Sequence, residues 1–174
     1  QADSLSVIDI SSSTAPVKVG EYDPGDATFA VGISVVVENG FAYVAASSSM
    51  LIIDVSSPSS PVLAGIYQPN DFNIFNNASQ LVKQGDYVYL SMVDSNNMLI
   101  IDVSSSTNPT LAANYDPNNL AVIDGGLGIA IKDQYVYIAN NGSGDGITII
   151  DVSSPTSPVL VQNWDPGSSV VLNM

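Results

Sequence analysis

Four segments of the chain are copies of one another, and this internal repeat constrains the fold more than any other feature. They read Leu5-Ser-Val-Ile-Asp-Ile-Ser11, Leu51-Ile-Ile-Asp-Val-Ser56, Leu99-Ile-Ile-Asp-Val-Ser104 and Thr148-Ile-Ile-Asp-Val-Ser153. Their aspartates, Asp9, Asp54, Asp102 and Asp151, are spaced 45, 48 and 49 residues apart. Pro16, Pro61, Pro109 and Pro158 keep the same spacings, as do the aromatics Tyr22, Tyr67, Tyr115 and Trp164. Three residue types in one register mark a structural unit that recurs.

Within each period the punctuation predicts four short strands. Val31 to Val37, Asn39-Gly40 and Phe41 to Ala46 make a hairpin, since Asn-Gly supplies the positive φ angles of a type I′ turn. Similar hairpins are expected at Gln84-Gly85-Asp86 and Asp133-Gln134. The Ile-Ile-Asp-Val run is a third strand, a Ser/Pro-rich turn follows, and a fourth strand runs from Pro-Val-Leu to the aromatic. No segment has helical periodicity. Four strands per repeat is the blade of a β-propeller, so the fold class is all-β.

The Leu-Ile-Ile-Asp-Val-Ser runs, each followed by Pro-Val-Leu or its variant and a terminal aromatic, resemble the LVIVD-repeat propellers, a group of mostly secreted and surface-anchored prokaryotic proteins. The resemblance implies a fold and an extracellular or cell-surface setting, but no common activity. Pro58 and Pro155 match the first proline of the motif, whereas Ser13 and Ser106 replace it in the other two copies.

Taken as one domain over 1–174, the repeats divide into a half blade (1–22), three full blades (23–67, 68–115 and 116–164) and the start of another (165–174). The total of about three and a half blades is short of a ring, which needs four to eight. Four solutions are open: a minimal four-bladed ring, two chains forming a seven-bladed ring, head-to-tail joining of many chains, or a longer chain of which this is one part. An unpaired strand edge is a template for strand addition. Leu5, Val7 and Ile8 at one end and Val170, Val171 and Leu172 at the other are therefore the candidate assembly residues.

Composition narrows the chemistry. The chain has no Cys, His or Arg, so thiol nucleophiles, imidazole bases and thiolate or imidazole zinc sites are absent. The carboxylates that could drive acid–base catalysis, Asp9, Asp54, Asp102 and Asp151, recur in every blade beside a Ser-rich turn, which marks them as corner residues. No enzyme is expected. A net charge of -14 excludes nucleic acid as a partner, because phosphates need a basic surface. No apolar run is long enough for a transmembrane helix.

Propeller topology puts the interblade loops and second-to-third-strand loops on one face, and that face carries most of the acidic residues and no Lys. Its segment Asn140-Asn-Gly-Ser-Gly-Asp-Gly146 is rich in oxygen ligands. Asp145, Asn141 and Asp94 are its candidate Ca²⁺ ligands, although the spacing lacks the regular Asp-x-Asp-x-Asp-Gly pattern. No other cofactor is expected. Phe29, Phe72 and Phe75 in the long loops are candidates for a partner or glycan contact. Asn77 and Asn141 each open a glycosylation tripeptide.

The function expected is that of a non-enzymatic extracellular structural protein whose partners are copies of itself, in a dimer, filament or surface layer. The alternative is a surface binding or adhesion module that uses the acidic face for a cation or glycan.

Overall fold

The computed structural model describes residues 4–25, 32–69, 71, 74–118, 122–142 and 146–165. Every regular element among them is a strand. The half blade pairs β1 (Leu5–Asp9) with β2 (Val17–Tyr22). The second blade runs β3 (Ser34–Glu38), β4 (Phe41–Ala45), β5 (Met50–Asp54) and β6 (Val62–Tyr67). The third is β7 (Ala78–Gln84), β8 (Tyr87–Met92), β9 (Met98–Asp102) and β10 (Thr110–Tyr115). The fourth is β11 (Gly128–Lys132), β12 (Tyr135–Asn140), β13 (Gly146–Asp151) and β14 (Val159–Trp164). Each is an antiparallel meander in chain order, and the inner strands β3, β7 and β11 lie next to one another. The chain is therefore an all-β, partial propeller of about three and a half blades.

The turns follow from residue chemistry. Asn39 and Gly40 both take positive φ, 52° and 81°, as a type I′ turn requires. The later hairpins differ: only the first turn residue is left-handed, Gly85 at 57° and Asp133 at 55°. The outer strand pair of every blade carries a bulge at the same place, which leaves Val19, Ala64, Ala112 and Val161 without a register partner. A bulge increases local twist, so this repeated irregularity helps each sheet take its propeller shape.

Each blade shows a forward face to the blade after it and a rear face to the blade before it. Tyr43, Ala45, Met50 and Ile52 on the forward face of the second blade pack against Leu81, Leu90, Leu99 and Ile101 on the rear face of the third. Tyr89, Met98 and Ile100 then meet Ile129, Val136, Ile138 and Ile150 of the fourth. Leu5 and Tyr22 of the half blade cover Ala42, Val44, Leu51 and Ile53. The third strands of the middle blades are thus buried on both sides, the reason they read as unbroken apolar runs.

Candidate functional site

Antiparallel order sends the chain's connections to two ends of the stack, and their chemistry differs. At the turn end, the N–H groups of Val55, Val103 and Val152 donate to the carbonyls of Gly40, Asp86 and Gln134, each at 2.8 Å. These bonds tie the two turns of each blade together. The four repeated aspartates stand here. Asp9, Asp54, Asp102 and Asp151 accept from the backbone N–H of Ser11, Ser56, Ser104 and Ser153 at 2.8 to 2.9 Å. Each aspartate thus closes a corner with the serine two residues on.

Those bonds favour the ionised form. The Ser56 and Ser104 hydroxyls, then their N–H groups, lower the Asp54 and Asp102 pKa below the ordinary 3.8; for Asp9 and Asp151 the serine N–H contributes most and the hydroxyl next. A carboxyl with a lowered folded pKa stabilises the fold above its unfolded pKa, and that contribution is lost as pH falls through the folded value. Asp54→Ala and Asp102→Ala are accordingly expected to lower the urea midpoint at pH 5 to 7. The gap from the parent chain should close below pH 3. A gap that stays constant into acid would show that the charged corner is not what the aspartate supplies.

Two hollows of about 320 and 450 Å³ open between successive blades on the same end. In the first, Lys83 Nζ lies 2.5 Å from Glu38 Oε2, donates to the Gly85 carbonyl and sits 5.2 Å from the centre of the Tyr43 ring. In the second, Gln84 Nε2 donates to the Asp133 carbonyl at 2.8 Å. Both link neighbouring blades. Tyr43 and Tyr89 are buried packing residues, while Tyr137, at the matching position of the fourth blade, is half-buried.

The loop end is held by buried side chains and amide clamps. Phe75 and Ile123 are buried, so Phe75 is a packing residue and offers no surface to a partner or glycan. Phe29 and Phe72 lie outside the described residues. Asn97 Nδ2 donates to the Ile74 carbonyl at 3.0 Å, and in the next blade Asn140 Nδ2 and Thr148 Oγ1 both donate to the carbonyl of Val122. Asn140 Oδ1 is buried without a hydrogen-bond partner. Of the candidate Ca²⁺ ligands, Asp94 and Asn141 are exposed in corresponding loops of the third and fourth blades, and Asp145 lies outside the described residues. Among the described residues no three acidic side chains group as a metal cage.

Asn77 is half-buried in a left-handed turn, its N–H donating to Ser47 O at 3.1 Å, while Ser79 of the same tripeptide donates its hydroxyl to Leu127 O at 2.7 Å. This acceptor is built into the start of β7. Asn141 is exposed, and the Ser143 that completes its tripeptide lies outside the described residues. Glu21 lies inside β2 and pairs with Lys18 at 2.6 Å.

The remaining feature of functional interest is the pair of open ends of the stack. Leu5 packs against the second blade, and Val7 lies on the same side of β1, so neither is on the free surface. Ile8 points the other way and is exposed. Alternation along a strand separates what the sequence grouped as one set. Val170, Val171 and Leu172 lie outside the described residues.

The LVIVD repeat matches residues 1–24, 32–69, 77–117 and 127–165. No curated protein matches the sequence. Among solved structures, a Lactobacillus plantarum protein superposes with a TM-score of 0.78 at 17% identity, over 92% of this chain and 49% of its own. A functionally unknown protein from Desulfotomaculum acetoxidans gives 0.68 at 12% identity, over 94% of this chain and 50% of its own. A candidate 6-phosphogluconolactonase from Bacteroides uniformis gives 0.65 at 15%, over 88% and 47%. At these identities the likeness shows the fold alone. The chain spans about half the length of each.

Proposed function

The chain belongs to the LVIVD-repeat family, and from that starting point we propose that it is a non-enzymatic extracellular structural protein that acts by joining other copies of itself, as the subunit of a surface layer or filament. The observation that carries the reading is the pair of apolar open ends: Ile8, Ile10, Val35 and Val37 at one, Val161 and Trp164 at the other, all exposed. Lack of Cys, His and Arg favours a structural role over a catalytic one. A Ser/Asn-rich surface with 11% charged residues, against about 25% in an average domain, suits the extracellular setting of the family.

In the repeat, the chain leaving each outer strand enters the inner strand of the following blade. Residues after Trp164 obey the same rule in this reading, and Val170, Val171 and Leu172 supply an inner strand to the half blade of another copy. Main-chain pairing of that kind resists salt, and salt helps two chains of charge -14 approach. Light scattering on the purified 18.1 kDa chain is expected to give a multimer, and a monomer at every concentration would reject the reading. Deleting Ser168 to Met174 is expected to weaken the multimer. Unchanged assembly in the truncated chain would remove the strand-addition step.

A further inference from the structure

The two hollows at the turn end are copies of one site, and one of them holds a cation of its own. Strand register makes Tyr43 equivalent to Tyr89, Glu38 to Gln84, Phe41 to Tyr87 and Lys83 to Ile131. Between the second and third blades the Lys83 side chain is only 7% exposed. Its ammonium is held by three groups: the Glu38 carboxylate, the Gly85 carbonyl and the face of the Tyr43 ring. A carboxylate, a carbonyl dipole and a ring quadrupole all attract an ammonium. That hollow is therefore an ammonium site filled from within.

Between the third and fourth blades the same framework lacks its cation. Ile131 stands where Lys83 would, and its side chain ends in carbon. Gln84 replaces Glu38, and its Nε2 donates at 2.8 Å to the carbonyl of Asp133, the counterpart of Gly85 as first residue of its turn. Two carboxylates, Asp86 and Asp133, line this hollow, and among the described residues no lysine does. Of the chain's three lysines, Lys18 pairs with Glu21 in the half blade and Lys83 fills the sister hollow. Lys132 lies on the opposite face of β11 from Ile131. The hollow without a lysine is also the larger, about 450 against 320 Å³. Pro155 stands on its wall where the other has Ser106, and Tyr87 where the other has Phe41.

We infer that this second hollow binds a primary alkylammonium group from another molecule, a lysine side chain or a free diamine. Asp86 and Asp133 take the charge, and the methylene stem lies along Tyr87 and Pro155. The chemistry is that of the Lys83 contact, with the cation supplied from outside. A net charge of -14 draws cations toward the surface in general, and the hollow adds a place where one loses its freedom to wander. Anions are repelled by the same two carboxylates. The site lies between two complete blades and is independent of how the stack continues at either end.

Titration with the diamine cadaverine, followed by NMR, is expected to shift the signals of the Tyr87 ring and the Gln84 amide. The dissociation constant should be on the order of 1 mM, ordinary for so small a ligand. Shifts spread over the whole acidic surface, or none, would overturn the site, as would equal binding of the uncharged pentanediol. A Gly-Gly-Lys-Gly-Gly peptide separates the two sources: binding comparable to the diamine assigns the hollow to a partner's lysine, and binding of the diamine alone assigns it to free amines. Asp86→Asn with Asp133→Asn should preserve the fold, since both side chains are exposed and Asn accepts the left-handed φ of 55° at position 133. That variant is expected to bind cadaverine about 10-fold more weakly, and unchanged affinity would show that charge is not what the hollow recognises. Gln84→Glu with Ile131→Lys rebuilds the internal clasp of the sister hollow and should remove binding. If it binds as the parent does, the two hollows are not copies of one ammonium site.

Discussion

Gly65→Val is expected to destabilise the chain by about 3 kcal/mol or more, the upper range for forcing atoms into a packed site. Gly65 is buried in β6, and a Cβ there would stand 2.3 Å from the Ser106 carbonyl oxygen and 3.2 Å from Thr107 C. The neighbour is backbone and has no free end to swing away. Its turn is braced on both sides, by the Ser104 N–H donating to Asp102 Oδ1 at 2.9 Å and by Asn108 N–H donating to Ser105 O at 3.2 Å. The clash therefore reaches the junction between the second and third blades, where the larger cluster of buried side chains lies. Gly20→Val meets the Pro58 carbonyl as closely, but it sits in a two-stranded half blade, and its cost should be smaller. Ala113→Gly, at the equivalent strand position, removes one methyl and should cost about 1 kcal/mol. Urea denaturation of the three variants checks the order. If Gly65→Val and Ala113→Gly cost the same, close approach of strand to turn is not what that position serves.

How far the fold could be read depended on which residues repeat visibly. Asp, Pro and the terminal aromatic recur in one register, and the strands they bracket fall where expected. The bulge at Val19, Ala64, Ala112 and Val161 recurs with the same spacings, but small and β-branched residues give no compositional mark of an unpaired position. Face assignment failed for a related reason. Met50, Leu51, Ile52 and Ile53 are all buried because blades lie on both sides of β5, so the strand lacks the alternation that would say which side each residue faces. Leu5, Val7 and Ile8 looked like one surface and are two. At the loop end, Phe75 and Ile123 stand 48 residues apart, the spacing of the third repeat, yet each is embedded in Asn- and Asp-rich sequence that reads as solvated loop. The oxygen-rich segment around Asn141 stands out by composition alone, and composition carries no geometry. The open ends of the stack were legible in outline from counting strands, but the residues that line them required the register.

Phe75→Ala is expected to cost about 3–5 kcal/mol, the range for removing a buried aromatic ring, although the residue belongs to a connection between blades. Its ring is 1% exposed and packs beside Tyr67, with centroids 6.3 Å apart at an angle of 41°. Around it lie side chains from the forward face of the second blade and the rear face of the third, so the ring closes the loop end of that junction. The surrounding backbone is fixed independently. Asn77 N–H donates to Ser47 O, and Asn97 Nδ2 reaches both Ile74 O and Asn114 Oδ1, the latter at 2.6 Å. A cavity left by the ring therefore has little freedom to collapse, which puts the cost toward the top of the range. Asn97→Ala tests the other half of the arrangement: it leaves the Ile74 carbonyl without that donor and should cost about 1–3 kcal/mol. In both variants thermolysin is expected to cut between Tyr67 and Ala78 well before global unfolding, because the loop loses its anchor while the strands remain paired. The decisive comparison is with Trp164→Ala, whose side chain is 48% exposed on β14. If Phe75→Ala destabilises the single chain no more than Trp164→Ala does, the ring is not a closure of the blade junction, and the loop end must be held by its hydrogen bonds alone.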